Sequence, residues 1–491
     1  MLNAADHSEA ATLAPAPRLP LCVDLDGTLV RSDTLIELAL TLAMSWRLWR
    51  EMLLFPVRGR AAFKARIAQQ AVFDPALLPY NEHLLSYLRA EKRAGRRLVL
   101  VTAADTTIAS AVASHLGLFD EIMASDGTRN LKGIRKAEAL CAAFGKRGFV
   151  YAGNEAIDLH VWREAAAAIL VQTSGRVTAA ARAQGPVEAQ FQTESGFFLP
   201  LLHAMRPYQW VKNLLVFVPI FTAHAWHETA AWIGACLVFA AFCATASSVY
   251  IVNDLTDLAA DRRHPRKRQR PFASGALHPL AGLAVAALLA GTGAGLAIAS
   301  GTLFVIAVYV AMTLSYSLIL KEMPLVDVFL LAALYSIRLF GGGTATGHTV
   351  SLWLLGFSSF LFLGLALLKR VEELTSMATA ENRFAVRRGY MPSDASILQI
   401  FGCGAAFASS VVLALFVQNE ATTARYALPG LLWALVPLML FWQCRLWLST
   451  ARGYMHDDPI IYAAGDWVSW IVGAVMLALL VAAKTNPFGL F

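Results

Sequence analysis

Residues Asn253–Gly275 read NDLTDLAADRRHPRKRQRPFASG and set three aspartates and six Lys/Arg beside the end of a long apolar run. Asp254, Asp257 and Asp261 are spaced three then four apart, so on a continuous helix they share one face. Asn253 comes one position earlier. Carboxylates gathered on one face repel one another unless a cation joins them. An all-oxygen ligand set suits Mg²⁺, which is usually shared with substrate phosphates. Arg262, Arg263, Arg266, Lys267, Arg268 and Arg270 follow at once and are the residue types that grip phosphate. An acidic face next to a basic loop at a membrane edge points to an enzyme that handles a diphosphate.

A second constellation lies near the N-terminus. DLDGT at 24–28 follows the apolar run LCVDL, so Asp24 sits at the carboxyl end of an expected strand and Gly27 permits a sharp turn. A carboxylate there can attack phosphorus and form an aspartyl-phosphate. Asp26, two residues on, can protonate the leaving group. Thr102 closes the next strand and offers a hydroxyl to a phosphoryl oxygen. Lys136 opens a helix and can neutralise phosphoryl charge, with Lys132 as a rival. GNEAID at 153–158 puts Asp158 where a Mg²⁺ ligand is needed.

These residues need elements to hold them. LCVDL (21–25), RLVLVTA (97–103), GFVYAGN (148–154) and AILVQT (168–173) read as buried strands separated by helical stretches. That pattern predicts a parallel, Rossmann-like α/β sheet that binds ligands at its carboxyl edge. Residues 33–95 read as a mostly helical insertion. The expected organisation is a disordered leader over 1–19, an α/β domain over 20–175, a linker over 176–205 and a membrane domain over 206–491.

The chain has 491 residues, 57% hydrophobic and 15% charged, with the charge concentrated before residue 200. This composition describes a soluble domain joined to an all-α polytopic membrane domain. Roughly nine spans are expected at the ~20 residues that cross hydrocarbon: 213–226, 230–251, 279–298, 301–320, 325–345, 351–369, 396–417, 427–447 and 467–485. The glycines 341–343 read as a turn or a close helix approach. The net charge of +7 is modest and falls in particular loops, which favours membrane orientation and anionic substrates over nucleic acid. The basic loops lie on the same side as the soluble domain, so that side is expected to be cytoplasmic, at the inner membrane. Arg338, deep in a span, needs a partner. Asp327 is expected to orient a lysine such as Lys321. Trp210, Trp226, Trp232, Trp353, Trp447 and Trp467 read as interfacial anchors. The six cysteines show no paired spacing and read as reduced, small apolar residues.

Taken in order, DLDGT, Thr102, Lys136 and GNEAID resemble the haloacid dehalogenase superfamily of phosphohydrolases. The resemblance implies Asp24 as nucleophile and metal ligand and Asp26 as acid/base. It places Thr102 and Lys136 on the phosphoryl group and Asp158 on Mg²⁺, with the insertion as cap. One departure is Asn154, where the family carries Asp. An amide can ligate Mg²⁺ but supplies no charge.

NDxxDxxxD after the second span resembles the UbiA superfamily of intramembrane prenyltransferases. Quinone- and haem-type members carry a second aspartate-rich motif between the sixth and seventh spans. Here that loop reads LKRVEELTSMATAENRFAVRRGY, which is basic and has no Asp. RPYQWVKN (206–213), the extended motif 253–275, YSLILKEMPLVD (316–327), LKR (368–370) and RGYMHDDP (452–459) look instead like the decaprenyl-phosphate phosphoribosyltransferase branch.

That resemblance implies attack of a polyprenyl phosphate on C1 of phosphoribosyl pyrophosphate, with release of pyrophosphate. Asp254 and Asp257 would hold Mg²⁺ on the pyrophosphate, supported by Asn253 and Asp261. Arg262, Lys267, Arg268 and Arg270 would meet the leaving group or the ribose 5-phosphate. Lys212, Lys321, Lys369 and Arg370 would meet the lipid phosphate, with Tyr316 also on the substrate side. The phosphohydrolase would then remove the 5-phosphate, leaving polyprenyl phosphoryl ribose, a precursor of a lipid-linked arabinose donor. The alternative is an aromatic prenyltransferase of quinone or haem biosynthesis using prenyl diphosphate.

Overall fold

The computed structural model describes residues 18–41, 73–126, 130–192, 196–379, 389–420, 424, 426–455 and 458–485. Residues 1–17 of the expected leader, residues 42–72 of the expected cap, and Arg383, Arg387 and Arg388 of the basic loop lie outside the described residues. The chain packs as two compact units, residues 1–204 with 254–282, and residues 205–253 with 283–491.

The first unit is built on six strands: β1 Leu21–Val23, β2 Leu98–Asp105, β3 Glu121–Ser125, β4 Val150–Gly153, β5 Ala167–Val171 and β6 Val187–Phe191. All pair in parallel, in the order β3-β2-β1-β4-β5-β6. Alternate residues feed two cores. Leu21, Val23, Leu98, Leu100, Val150 and Ala152 join the core on one face. Cys22, Val99, Val101 and Tyr151 join the core on the other. Burial on both faces is why the central strands read as unbroken apolar runs. The connecting helices are α1 Thr34–Thr41, α2 Glu82–Arg93, α3 Thr106–Leu116, α4 Ile134–Phe144 and α5 Gly175–Gln184.

The four expected strands appear as β1, β2, β4 and β5. The edge strands β3 and β6 were not foreseen, because VEAQF and EIMAS mix charge with small side chains and stay half-exposed. The stretch read as a linker therefore holds α5, then β6 in register with β5, then a helix over Phe198–Met205.

The second unit is helical. Its long helices are α6 Thr229–Thr256, whose last turn enters the first unit, then α8 Pro279–Ala299, α9 Leu303–Leu318, α10 Val326–Thr346, α11 Leu352–Thr379, α12 Ala395–Gln418, α13 Leu435–Ala451 and α15 Trp467–Thr485. The short helix α7 Leu258–Arg263 belongs to the first unit, and α14 Pro459–Gly465 precedes α15. Among the described residues, seven helices are long and apolar enough to cross a membrane, and α9 is a shorter apolar helix. The expected first span, 213–226, is not one α-helix. It is a 3₁₀ segment over Pro207–Phe217 followed by a single turn, Val218–Thr222. Pro219 lacks an N–H and clashes with the preceding turn, which disfavours a continuous helix there.

Val328, Ala332, Tyr335 and Leu339 recur at helical spacing on α10 and pack with Phe362, Leu365, Ala366 and Leu368 of α11. The triple glycine is a close approach and not a turn, for α10 runs on to Thr346. A Cβ on Gly342 would lie 2.1 Å from the Val216 carbonyl oxygen. Small residues let backbones touch where lipid supplies no hydrophobic drive. Trp447 is not an interfacial anchor. It is 9% exposed and packs over Gly402, where a Cβ would lie 2.2 Å from its ring. All six cysteines are free.

Candidate active sites

In the first unit, β1 ends at Val23 and delivers Asp24 to the carboxyl edge, where the order of the strands reverses and a crevice opens. The Leu25 N–H donates to Asp24 Oδ1 at 2.9 Å. Lys136 Nζ lies 2.8 Å from the same oxygen and donates to Tyr151 Oη at 2.9 Å. Tyr151 Oη donates to Asp158 Oδ1 at 3.0 Å. Asp158 Oδ2 accepts the N–H groups of Asn154 and Glu155, each at 3.0 Å. Asp158 is thus committed to shaping the loop that carries Asn154 and to steadying Lys136 through Tyr151. Lys132, the rival, lies 4.0 Å from Glu155 and is exposed.

Gly27 has φ +72°, and a Cβ there would lie 2.1 Å from Asn154 Nδ2, so both the turn and the close approach require glycine. Thr28 Oγ1 donates to Asn154 Oδ1 at 3.3 Å. Thr102 is fully buried, and its Oγ1 accepts the Ala104 N–H at 2.9 Å.

Charge in this crevice is finely balanced. Burial pushes the Asp24 carboxyl up to about 6, against the pull of Lys136. Burial, with the Asp33 carboxylate, pushes Asp26 up to about 7, against the Thr34 N–H that donates to it at 2.8 Å. Burial draws the Lys136 ammonium down, but Asp24 and Asp158 more than offset it, and its pKa stands above the ordinary lysine value. Asp26 is therefore the more readily protonated of the two acids, as a proton donor should be. One carboxylate, Asp24, and one amide oxygen, Asn154, fit a Mg²⁺ shared with a substrate phosphate, since that ion keeps waters and needs few protein ligands.

The aspartate-rich segment does not keep its three acids on one helical face. Helix α6 stops at Thr256, Asp257 breaks it with φ −96° and ψ 11°, and α7 restarts at Leu258. Asp254 and Asp261, seven residues apart, still converge on one guanidinium, while Asp257 leaves their face. Both are 3% exposed, while Asp257 is solvent-exposed. Arg270 Nη1 bridges the buried pair, 3.1 Å from Asp254 Oδ1 and 2.7 Å from Asp261 Oδ2. A guanidinium thus offsets the repulsion a divalent cation would otherwise relieve, and the two convergent carboxylates suit such a cation. Among the described residues, no three His, Cys, Asp or Glu side chains cluster as a closed metal cage. Lys267 and Arg268 are exposed on a 3₁₀ turn. Arg262 turns away from the carboxylate pair onto Glu37.

Two polar centres lie within the second unit. Lys212 Nζ lies 2.7 Å and Lys369 Nζ 3.0 Å from Asp458 Oδ2. Tyr335 Oη donates to the same carboxylate, 3.0 Å from Oδ1. Two ammonium groups share one buried acid, so the centre keeps a surplus positive charge. Beside this lies the second centre, where Arg370, 1% exposed, pairs with the fully buried Asp327 and with Glu373. Tyr390 Oη donates to Asp327 at 2.5 Å. Asp327 therefore serves Arg370 and not Lys321, which sits half-buried on the turn Leu320–Glu322. Tyr316 is near Arg370. Arg338 finds its partner in Asn213 Oδ1 at 2.8 Å and lies over the Phe242 and Tyr309 rings. Asn253 Nδ2 donates to Ser317 at 3.2 Å.

Asp458, Tyr335, Tyr151 and Glu37 were not singled out from the sequence. Asp458 had a signal, since it lies in RGYMHDDP, an acid before a proline between two spans. The others are ordinary residues until the fold brings them to charge.

A multi-pass membrane domain behind an α/β domain with a phosphate-type crevice defines the class. The UbiA prenyltransferase family model matches residues 214–453, and the haloacid dehalogenase-like hydrolase model matches residues 21–161. The chain carries a UbiA family domain at its C-terminus and a haloacid dehalogenase-like domain at its N-terminus. It is 37% identical to the uncharacterized protein y4nM of Sinorhizobium fredii over 474 residues, 95% of this chain and 91% of that one. It is 37% identical to the nodulation protein NoeC of Azorhizobium caulinodans over 300 residues, 60% of this chain and 96% of that one. It is 38% identical to the decaprenyl-phosphate phosphoribosyltransferase of Corynebacterium glutamicum over 181 residues, 35% of this chain and 54% of that one.

Proposed function

We propose that the membrane domain transfers phosphoribose from phosphoribosyl pyrophosphate to a polyprenyl phosphate, and that the α/β domain then removes the ribose 5-phosphate. The observation that carries this reading is the Lys212–Asp458–Lys369 centre, with its surplus positive charge. A second Mg²⁺ site for a prenyl diphosphate would need carboxylates there, whereas ammonium groups suit the phosphate of a lipid acceptor. The likeness to decaprenyl-phosphate phosphoribosyltransferases supports the same reading.

In this mechanism an oxygen of the lipid phosphate attacks C1 of the ribose, and the bond from C1 to the pyrophosphate oxygen breaks. Lys212 and Lys369 bind and orient the attacking phosphate, with Asp458 and Tyr335 setting their positions. Asp254 and Asp261 would hold a Mg²⁺ at the pyrophosphate end, and that ion would supply charge neutralisation to the leaving group. Asn253 and the exposed Asp257 would complete that set. Arg270 moves from the carboxylates to the leaving group. Lys267 and Arg268 meet the 5-phosphate.

In the α/β domain, the Asp24 carboxylate attacks phosphorus and Asp26 gives its proton to the departing ribose oxygen. Water then opens the aspartyl-phosphate, with Asp26 taking a proton back. Lys136 and Thr102 hold the phosphoryl oxygens. The sites face the cytoplasmic side of the inner membrane.

The test is a membrane assay with radiolabelled phosphoribosyl pyrophosphate, polyprenyl phosphate and Mg²⁺. Label should enter lipid with wild type and not with Asp254→Ala, and the Asp24→Asn product should keep a phosphate that the wild type loses. No label in lipid under any condition would overturn the reading and make prenyl diphosphate with aromatic acceptors the next test.

A further inference from the structure

Helix α1 of the α/β domain reaches the aspartate-rich segment, and both belong to the same compact unit. Arg262 Nη1 donates to Glu37 Oε2 at 2.7 Å and Nη2 to Glu37 Oε1 at 2.6 Å, a two-pronged pair. Its Nε donates to the Ala273 carbonyl oxygen at 2.9 Å. All three guanidinium nitrogens are therefore used for holding structure. The side chains of Arg262 and Glu37 are 8% and 10% exposed.

Neighbouring contacts agree. Arg263 Nη2 lies 3.8 Å from Asp74 Oδ2. Gly275 has φ +73°, and a Cβ there would lie 2.7 Å from the Arg31 Cβ and 3.3 Å from the Pro79 Cβ. A buried, two-pronged Arg–carboxylate pair fixes both distance and angle, which a single surface contact does not. One residue before Arg262 is Asp261, half of the convergent carboxylate pair. Ala273, bound by the same guanidinium, closes the loop that brings Arg270 back to that pair.

We infer that Glu37 is a positioning residue for the transferase reaction, with α1 holding α7 through Arg262 so that Asp254 and Asp261 stay converged. The α/β domain is then a structural part of the transferase as well as a separate hydrolase. This rests on the proposed use of residues 253–275 for the metal–pyrophosphate group.

The experiment uses the full chain in membranes or detergent, as wild type, Glu37→Arg, Glu37→Gln, Arg262→Glu and the double exchange Glu37→Arg with Arg262→Glu. Two quantities are read: hydrogen exchange of amides 258–275, and the KM for phosphoribosyl pyrophosphate against kcat. Glu37→Arg should remove protection from that segment and raise KM about tenfold, with Glu37→Gln intermediate. The double exchange should recover protection and most of the KM, because the ion pair is restored in reverse. Unchanged exchange in Glu37→Arg, or lost protection with unchanged KM, would overturn the inference. So would a double exchange no better than Arg262→Glu, which would instead assign Arg262 to substrate. If wild type transfers no label from phosphoribosyl pyrophosphate, the proposed function fails, while the exchange measurement still decides whether Glu37 holds the segment.

Discussion

At the strand ends of the α/β unit, Asp24, Lys136, Tyr151 and Asp158 form one chain of contacts, and the main chain does much of the positioning. Leu25, Asn154 and Glu155 each donate an N–H to a site carboxylate. In the helical unit, Asp458 collects the side chains of Lys212, Tyr335 and Lys369 across 246, 123 and 89 residues of sequence, and takes one main-chain N–H, that of Ile460 at 3.2 Å. Helix backbones are saturated by their own hydrogen bonds beyond the first turn, so charge inside a bundle is satisfied chiefly by other side chains. Strand ends leave N–H groups free, so a sheet can stabilise a carboxylate locally. The first kind of site should tolerate loss of one side chain as a loss of chemistry. The second should register it as a loss of structure.

Asp254→Ala gives the largest expected effect. Removing a carboxylate that serves charge stabilisation should lower lipid labelling on the order of 10³-fold, with the protein still inserted and folded by size-exclusion profile. Asp458→Asn should instead cost about 3–5 kcal/mol of stability, since it strands the buried Lys212 ammonium and the partly buried Lys369 ammonium. Thermal unfolding in detergent measures this, and adding Lys212→Met should return part of the loss. Full stability in Asp458→Asn would erase the contrast between the two kinds of site.

Lys136→Met sharpens the comparison from the other side. Asp24 must be ionised to attack, and its pKa is about 6 with Lys136 beside it. Without the ammonium, the charged form loses its support and the pKa rises, by about one unit or more. The acid limb of the phosphatase profile should therefore move to higher pH, toward the value of about 7 at which Asp26 loses its proton. The active window narrows and peak activity falls, while lipid labelling is unchanged. A limb that stays in place would remove Lys136 from the balance. The smallest effect belongs to Gly342→Ala, whose methyl meets the Val216 carbonyl and should cost about 1–3 kcal/mol, read as a lower midpoint of thermal unfolding with both activities retained at low temperature.

Legibility in the sequence followed the same division. The gathering of Asp24, Lys136 and Asp158 at one strand edge was legible because strand-end motifs keep a fixed offset from an apolar run, whereas the use of Asp158 to hold Tyr151 and its own loop was not. The central strands were legible because burial on both faces makes them continuous. β3 and β6 were not, because edge strands need only one apolar side and theirs is weak. The shared helical face of Asp254, Asp257 and Asp261 was a correct reading of spacing and an incorrect one of geometry, since Asp257 ends the helix. Arg262 reads as one phosphate ligand among six basic residues, and nothing in its neighbours marks it for Glu37. Trp447 reads as an anchor because periodicity does not distinguish a ring facing Gly402 from one facing lipid headgroups.

Composition and motif order alone determined that this chain joins an α/β phosphohydrolase-type domain to a multi-pass membrane domain with an acidic–basic segment at its edge. Those are consequences of hydrophobic patterning and local spacing, which act within a few turns of chain. Only the tertiary structure decided which charges meet: Arg270 between Asp254 and Asp261, Arg262 on Glu37, Asp327 on Arg370, and Asp458 under two lysines. Pairing of that kind is set by where whole helices and strands pack, and a buried charge takes whichever opposite charge the packing brings to it.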